Sequence, residues 1–187
     1  DVIITGTNSK KLTLLNKDLN SKCKIIECNF SSDDDTNHLI EWLNEFGGVD
    51  ILINNAGKTE DSLFMRMTDK QWEDVMLINL TSVMRLTRGV IRGMIKKRWG
   101  RIINISSIVA LTGNSGQSNY SASKAGVAAF SKSSDSAACR IDFSFSLIFC
   151  FISSSLHPCK SDRLLSSSAC FLSVSSICVT SFLMDAG

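Results

Sequence analysis

The chain has 187 residues, of which 44% are hydrophobic and 20% charged, and its formal net charge at pH 7 is +2. These values fit one globular domain or a piece of one, and they exclude a wholly disordered or collagen-like chain. The seven cysteines form no C-x-x-C pair and no Cys/His cluster at zinc spacing. We therefore predict neither a disulfide framework nor a metal site, and free thiols fit a reducing compartment, the cytoplasm or an organelle matrix.

Strands and helices are predicted to alternate along the first 132 residues. Short apolar, β-branched runs predict strands, and apolar residues three and four apart predict helices. The predicted elements are a strand at 2–4, a helix at 10–19, a strand at 24–28, a helix at 33–46, a strand at 49–53, a long helix from 68 to about 98, a strand at 101–105 and a helix at 117–132. Such βαβ units predict an α/β fold with a Rossmann-like, doubly wound parallel sheet.

Local signals mark where several of these helices begin, end or change. Gly47 and Gly48 follow the second helix and are predicted to end it. Thr68 and Gln71 have the spacing of a capping box, which opens the long helix. We expect a break in that helix near Asn79.

Residues 133–187 differ in composition from the rest of the chain. Sixteen of these 55 residues are serine and five are cysteine, and the stretch 164–184 carries no charge. That stretch is long enough to span a membrane, but serines dilute it and no aromatic belt or basic flank frames it, so we predict no membrane segment. We expect a first domain at 1–132 and an atypical tail outside its fold; a genuine but unusual C-terminal segment is the alternative.

Small polar residues stand where the third predicted strand ends. Asn54, Asn55, Ala56 and Gly57 follow that strand directly. Ligands of open α/β sheets bind outside the carboxyl ends of the strands, and small residues there let a ligand approach the backbone. Taken alone, the same four residues are compatible with an ordinary turn.

A second group of polar residues lies after the fourth strand. Ser107 follows that strand, and Tyr120 and Lys124 come later, four residues apart on a helix, which places both on one face. An ammonium beside a phenol favours the phenolate and lowers a pKa that starts near ~10, which would give an acid–base group usable near neutral pH. Tyr-x-x-x-Lys alone is often accidental; its order after Asn54–Gly57, Asn79 and Ser107 makes it specific.

These motifs resemble those of the short-chain dehydrogenase/reductases, and the resemblance extends over about residues 1–132. Residues 61–67, 97–107 and 113–120 make the sequence most similar to the 3-oxoacyl-[acyl-carrier-protein] reductases of fatty-acid synthesis. The resemblance implies NADPH-dependent reduction of a carrier-bound 3-oxoacyl thioester to the 3-hydroxyacyl form. It implies an acyl carrier protein as partner and a homotetramer for the intact family member, with no role for nucleic acid or membrane.

The resemblance also implies a role for each catalytic residue. Tyr120 would donate the proton to the ketone oxygen. Lys124 would lower the pKa of Tyr120 and hold the nicotinamide ribose. Ser107 would orient the substrate carbonyl, and Asn79 would hold a water that links Lys124 to solvent.

Cofactor contacts are implied at matching positions around the same edge. Asn55, Ala56 and Gly57 would line the nicotinamide half, and Asn29 with Phe30 would lie beside the adenine. In the loop after the first strand no acid is present to bind a ribose 2′-hydroxyl, whereas Ser9 and two lysines, Lys10 and Lys11, could receive a 2′-phosphate. NADPH is therefore favoured over NADH; the alternative is a solvated lysine pair that opens a helix.

The sequence departs from the family pattern at both ends. After Thr5 and Gly6 the later glycines of the family's phosphate loop are absent, so the first strand corresponds to the family's second. We expect the first βα unit to be missing, unpaired strands at the sheet centre, no family strand or Pro-Gly turn in 134–187, and little activity. The alternatives are an inactive, truncated reductase and a short-chain dehydrogenase acting on another ketone or alcohol.

A basic stripe remains on the long helix. Arg85, Arg88, Arg92 and Lys96 recur at spacings of three and four, and Arg98 matches a position that contacts the carrier protein in the family. A cationic patch would steer an acidic partner. A solvated helix face is the plain alternative, and nucleic acid is a third reading without aromatic support.

Overall fold

The computed structural model describes residues 1–19, 22–134, 141–148 and 177–180. Its strands are β1 (Val2–Gly6), β2 (Cys23–Glu27), β3 (Ile51–Asn54), β4 (Gly100–Ser107), β5 (Ile141–Ile148) and β6 (Ile177–Thr180). Its α-helices are α1 (Ser9–Asp18), α2 (Asp33–Glu45), α3 (Asp69–Met76), α4 (Ser82–Lys97), α5 (Val109–Thr112) and α6 (Ser118–Ser134). A 3₁₀ turn spans Phe64–Arg66, and a π-helix spans Leu77–Thr81. Within these ranges, no helix is both long and apolar enough to cross a membrane.

The six strands form one sheet in the order β2-β1-β6-β3-β4-β5, and every neighbouring pair is parallel. The predicted α/β, Rossmann-like doubly wound fold is confirmed. Because the strands are parallel, the carboxyl ends of β1, β3 and β4 meet at one edge of the sheet, at Gly6, Asn54 and Ser107. This edge carries most of the residues that the sequence analysis selected.

The main core packs α2 and α4 against the sheet. Its fully buried members are apolar and come from strands and helices alike; they include Ile3, Leu39, Leu43, Leu52, Leu86, Met94 and Ile102. Gly89 lets α4 approach α2, because a Cβ at this position would lie 2.6 Å from the Ile40 side chain. These contacts fix the orientation of α4 on the sheet and thereby the position of the π-helix before it.

The local signals act as expected. Thr68 and Gln71 form both hydrogen bonds of a capping box at the start of α3. Gly47 and Gly48 follow α2 with φ angles of 103° and 80°, which non-glycine residues rarely adopt. The predicted break near Asn79 is the π-helix, which separates α3 from α4.

Two strands come from the segment that was expected to lie outside the fold. β5 pairs with β4, and β6 pairs with both β1 and β3 at the centre of the sheet. In this respect the structure differs from the expectation of unpaired central strands and no strand beyond residue 134. Unpaired edges of β1 and β3 offer backbone N–H and C=O groups to any extended, β-branched segment, and composition does not reveal that pairing. The boundary of the first domain at residue 132 stays a prediction.

Candidate active site

Four predicted catalytic side chains lie on elements that converge at the carboxyl edge of the sheet. Ser107 ends β4, Tyr120 lies in the first turn of α6 with Lys124 one turn later, and Asn79 lies in the π-helix. Their exposed fractions are 9%, 9%, 4% and 0% in that order. Polar groups so deeply buried require specific partners, and those partners define the site.

Lys124 is held against the end of β4. Its Nζ donates to the carbonyl of Ile105 at 2.8 Å, and the hydroxyl of Ser106 donates to the carbonyl of Lys124 at 2.9 Å. Burial lowers the pKa of Lys124 to about 8, so the ammonium is still mostly protonated at pH 7. The Nζ lies 5.8 Å from the centre of the Tyr120 ring, which places a positive charge beside the phenol-bearing ring.

Gly57 brings the turn after β3 into contact with this lysine. A Cβ at Gly57 would lie 3.4 Å from Lys124 Nζ and 3.5 Å from Asn79 Oδ1. The glycine therefore leaves a small space bounded by an ammonium and an amide. The structure brings together the two motifs that the sequence analysis recognised separately.

Asn79 ties the π-helix to the turn and to α6. Its Oδ1 accepts from the Lys58 N–H at 2.7 Å, and its Nδ2 donates to the Lys58 carbonyl at 2.9 Å and to Ser123 Oγ at 3.0 Å. Both atoms of the side-chain amide are thus engaged by protein. The wider π turn is what aims this side chain inward, as is frequent for π-bulges at functional sites.

Two positioning residues were missed by the sequence analysis. Ser123 receives the Asn79 hydrogen bond and donates to the Tyr120 carbonyl at 2.7 Å. Asn119, fully buried, donates to the carbonyls of Glu60 and Gln71 at 3.0 and 3.3 Å and so anchors α6 to the segments beside it. The available signal was their placement: each is a small polar residue directly before Tyr120 or Lys124.

A row of hydrogen-bonded polar side chains is buried between β3, β4 and α6. Asn54 Nδ2 donates to Asn104 Oδ1 at 2.8 Å, and Asn104 Nδ2 donates to Ser131 Oγ at 2.8 Å. The row joins β3, β4 and α6. Asn54 thus has a structural role, and Ala56 of the same motif is buried in the main core.

The expected adenine-side residues are placed by local hydrogen bonds at the same edge. Asn8 caps α1 by accepting from the Lys11 N–H at 3.0 Å, and Ser9 and Lys10 follow it, exposed. Asn29 is exposed after β2, where its side chain accepts from the Ser31 N–H at 3.0 Å. These groups are accessible to a ligand, and their cofactor contacts stay predictions.

Two predicted residues have surroundings that the sequence did not indicate. Phe30 is 2% exposed and belongs to the hydrophobic core, so any cofactor contact from it would use its backbone. Arg98 follows α4 and precedes β4, whereas Ser107 ends β4. Eight strand residues at ~3.3 Å each separate Arg98 from the catalytic edge by more than ~20 Å. The structure therefore does not bring Arg98 together with the other site residues.

Comparison with known proteins shows the family to which the chain belongs. The model of the short chain dehydrogenase family matches residues 1–140, so the chain belongs to that family. The match covers all four predicted catalytic residues.

Several similar relatives are named 3-oxoacyl-[acyl-carrier-protein] reductase, and one is named nodulation protein G. The chain is 50% identical over 133 residues to the 3-oxoacyl-[acyl-carrier-protein] reductase FabG of Haemophilus influenzae, covering 71% of this chain and 55% of that protein. It is 45% identical over 137 residues to the protein of the same name from Aquifex aeolicus, with the same coverages. It is 49% identical over 129 residues to nodulation protein G of a Rhizobium species, covering 68% and 53%. The chain spans about half the length of these relatives.

Proposed function

We propose that this site is that of an NADPH-dependent 3-oxoacyl thioester reductase. The observation that carries the proposal is the placement of Lys124 on α6 beside Gly57 and Asn79, with Tyr120 one turn earlier on the same helix and Ser107 at the adjoining strand end. The names of the FabG relatives support the substrate class, a carrier-bound 3-oxoacyl group. Fatty-acid synthesis in the cytoplasm or an organelle matrix is the corresponding proposed setting.

The nicotinamide half of a cofactor fits the residues present. The space that a Cβ at Gly57 would enter is bordered by an ammonium suited to ribose hydroxyls. Lys124 would hold that ribose, with Asn55 and Ala56 beside it. A bound nicotinamide would supply the hydride, chemistry that belongs to the cofactor and not to the side chains.

Each catalytic side chain then has one task. Ser107 orients the substrate carbonyl by a hydrogen bond from its hydroxyl. Tyr120 donates its phenolic proton to the carbonyl oxygen, and the Lys124 ammonium stabilises the phenolate that remains. Asn79 supports a water on the path to solvent through its main chain, because its side-chain amide is occupied.

The choice of NADPH is proposed from charge at the start of α1. The loop from Thr5 to Lys11 contains no acid that would bind a 2′-hydroxyl and repel a phosphate. Ser9 and Lys10 are exposed in the first turn, where the helix terminus also favours an anion. We propose an acyl carrier protein as partner from the names of the FabG relatives. We propose a tetramer from membership of the short-chain dehydrogenase family.

One observation favours a second candidate, an inactive remnant of such a reductase. Among the described residues, no glycine-rich loop follows β1, where Thr7, Asn8 and Ser9 stand. The loop therefore has no glycines that would let a pyrophosphate approach the backbone closely, although the N-terminus of α1 presents backbone N–H groups there. The other alternative is a short-chain dehydrogenase that acts on another ketone or alcohol.

A binding and turnover experiment on the 187-residue chain separates these candidates. NADPH binding is measured by fluorescence, and reduction of an acetoacetyl thioester by loss of NADPH absorbance. We expect weak binding that Lys124→Met weakens further, and slow turnover that Tyr120→Phe removes without changing binding. Binding that is absent, or indifferent to Lys124→Met, would support the inactive remnant; turnover of secondary alcohols alone would support the other substrate class.

A further inference from the structure

A groove between α2 and α4 lies apart from the catalytic residues. It encloses about 930 Å³, which is within the range of small-molecule sites, roughly 300–1,000 Å³. One wall comes from α2 and the turn after it, and the other from α4. None of the predicted catalytic or cofactor residues lines it.

The α4 wall is strongly cationic. Five basic residues and one acid line the groove; the acid, Asp33, pairs with Arg85, and Lys97 pairs with Asp50 at 2.8 Å. Three cations remain exposed without an ion-pair partner among the described residues: Arg88, Arg92 and Lys96. Like charges one helical turn apart repel each other, and a bound anion would remove that repulsion.

The floor of the groove is open at Gly93. A Cβ at Gly93 would meet no atom within 4 Å, so free space reaches the helix backbone there. Gly89 precedes it by one turn, and the amide side chain of Asn44 lies opposite, 3.4 Å from the Gly89 carbonyl. A ligand in this groove would therefore meet cations, backbone and amide groups together.

We propose that this groove binds a small anionic ligand that carries at least two phosphate groups. Arg88, Arg92 and Lys96 follow each other at intervals of four residues, ~6 Å along the helix, and their long side chains can converge on one multiply charged ligand. Guanidinium groups bind phosphate oxygens through paired hydrogen bonds. The proposal is independent of the reductase function, because it uses none of that site's residues.

Isothermal titration of the purified 187-residue chain with inorganic tripolyphosphate tests the proposal. We expect one saturable site whose Kd rises at least about tenfold in Arg88→Gln/Arg92→Gln. Arg88→Lys/Arg92→Lys, which keeps the charge but not the paired contacts, should give an intermediate Kd. The matched control is Arg66→Gln/Lys70→Gln, which removes two exposed charges outside the groove and should leave the Kd unchanged.

A variant with unchanged net charge shows whether binding depends on the shape of the groove and not only on the charge of the protein. Gly93→Leu fills the open floor, is favourable for helix formation, and should abolish tripolyphosphate binding. NADPH binding should be the same in all groove variants, which separates this site from the cofactor site. Equal tripolyphosphate binding by the native chain, Gly93→Leu and the double Gln variant would overturn the proposal. So would binding of an acidic peptide such as poly-Glu without tripolyphosphate, since that would assign the groove to an acidic protein.

Discussion

The half of the sheet from β3 to α6 and the half formed by β1, α1 and β2 hold their site residues in different ways. In the first half the site residues are buried and joined by hydrogen bonds between distant segments, as Asn79 shows with Lys58 and Ser123. In the second half Ser9 and Asn29 are exposed and held by caps and turns of a few residues. The geometry around the proposed proton donor is therefore built into the fold, whereas the proposed adenine side is held by local contacts alone among the described residues.

Tyr120→Phe should have the largest effect on function. Loss of the phenolic proton should lower kcat for thioester reduction by at least ~10²-fold, the low end of general acid–base contributions, and leave the NADPH Kd unchanged. Ser121→Ala is the control, because its hydroxyl is buried without a hydrogen-bond partner among the described residues. Equal turnover by Tyr120→Phe and native protein would remove the proton-donor role.

Val179→Pro tests the central position of β6. The change removes one N–H from a strand that pairs on both sides and places a ring between neighbours, so we expect a loss of at least about 3 kcal/mol in the free energy of unfolding. Phe145→Pro, in the strand that pairs with β4, is the matched control and should cost less. Urea denaturation measures both. If neither variant changes stability, the domain ends near residue 132, and limited proteolysis should leave a core close to 1–132.

Asn79→Ala and Asn29→Ala compare how much the buried and the exposed site residues contribute to stability. Three hydrogen bonds disappear and backbone groups of Lys58 are left unpaired, so the free energy of unfolding should fall by about 2–3 kcal/mol. Asn29→Ala, which removes one exposed turn hydrogen bond, should cost less than about 1 kcal/mol. Equal losses in urea denaturation would contradict the difference drawn between the two halves.

The pH dependence of stability gives the smallest expected effect. The pKa of Lys124 is about 8 in the folded chain and 10.5 in a free side chain. Between these values the unfolded chain holds the proton and the folded chain does not, so the contribution of Lys124 to stability rises with pH, by about 1.4 kcal/mol per unit. The difference between native protein and Lys124→Met should follow that slope near pH 9.

The pH dependence attributed to Lys124 must be separated from that of other groups that titrate in the same range. Burial raises the pKa of Cys28 to about 12, so this thiol contributes the opposite slope above pH 9. Because both proteins keep Cys28, its contribution cancels in the difference. A difference that is flat from pH 8 to 10 would mean that Lys124 is not desolvated in the folded chain.

Sequence reasoning predicted the features that depend on nearby residues. Helical and strand spacing, the Thr68–Gln71 capping box and the Gly47-Gly48 stop each act within one or two turns of chain. The fold class follows from the alternation of such elements. The motif that holds Tyr120 and Lys124 was recognisable because helical periodicity alone places both on one face.

Long-range pairing was beyond the reach of those patterns. The insertion of β6 between β1 and β3 rests on backbone hydrogen bonds, which carry no side-chain signature. Phe30 became a core residue and Arg98 lay at the opposite edge from Ser107, because packing and strand direction, not spacing along the chain, determine which residues meet. Local signals specify the elements and their types; the burial of shared surface and the pairing of strand edges specify which elements become neighbours.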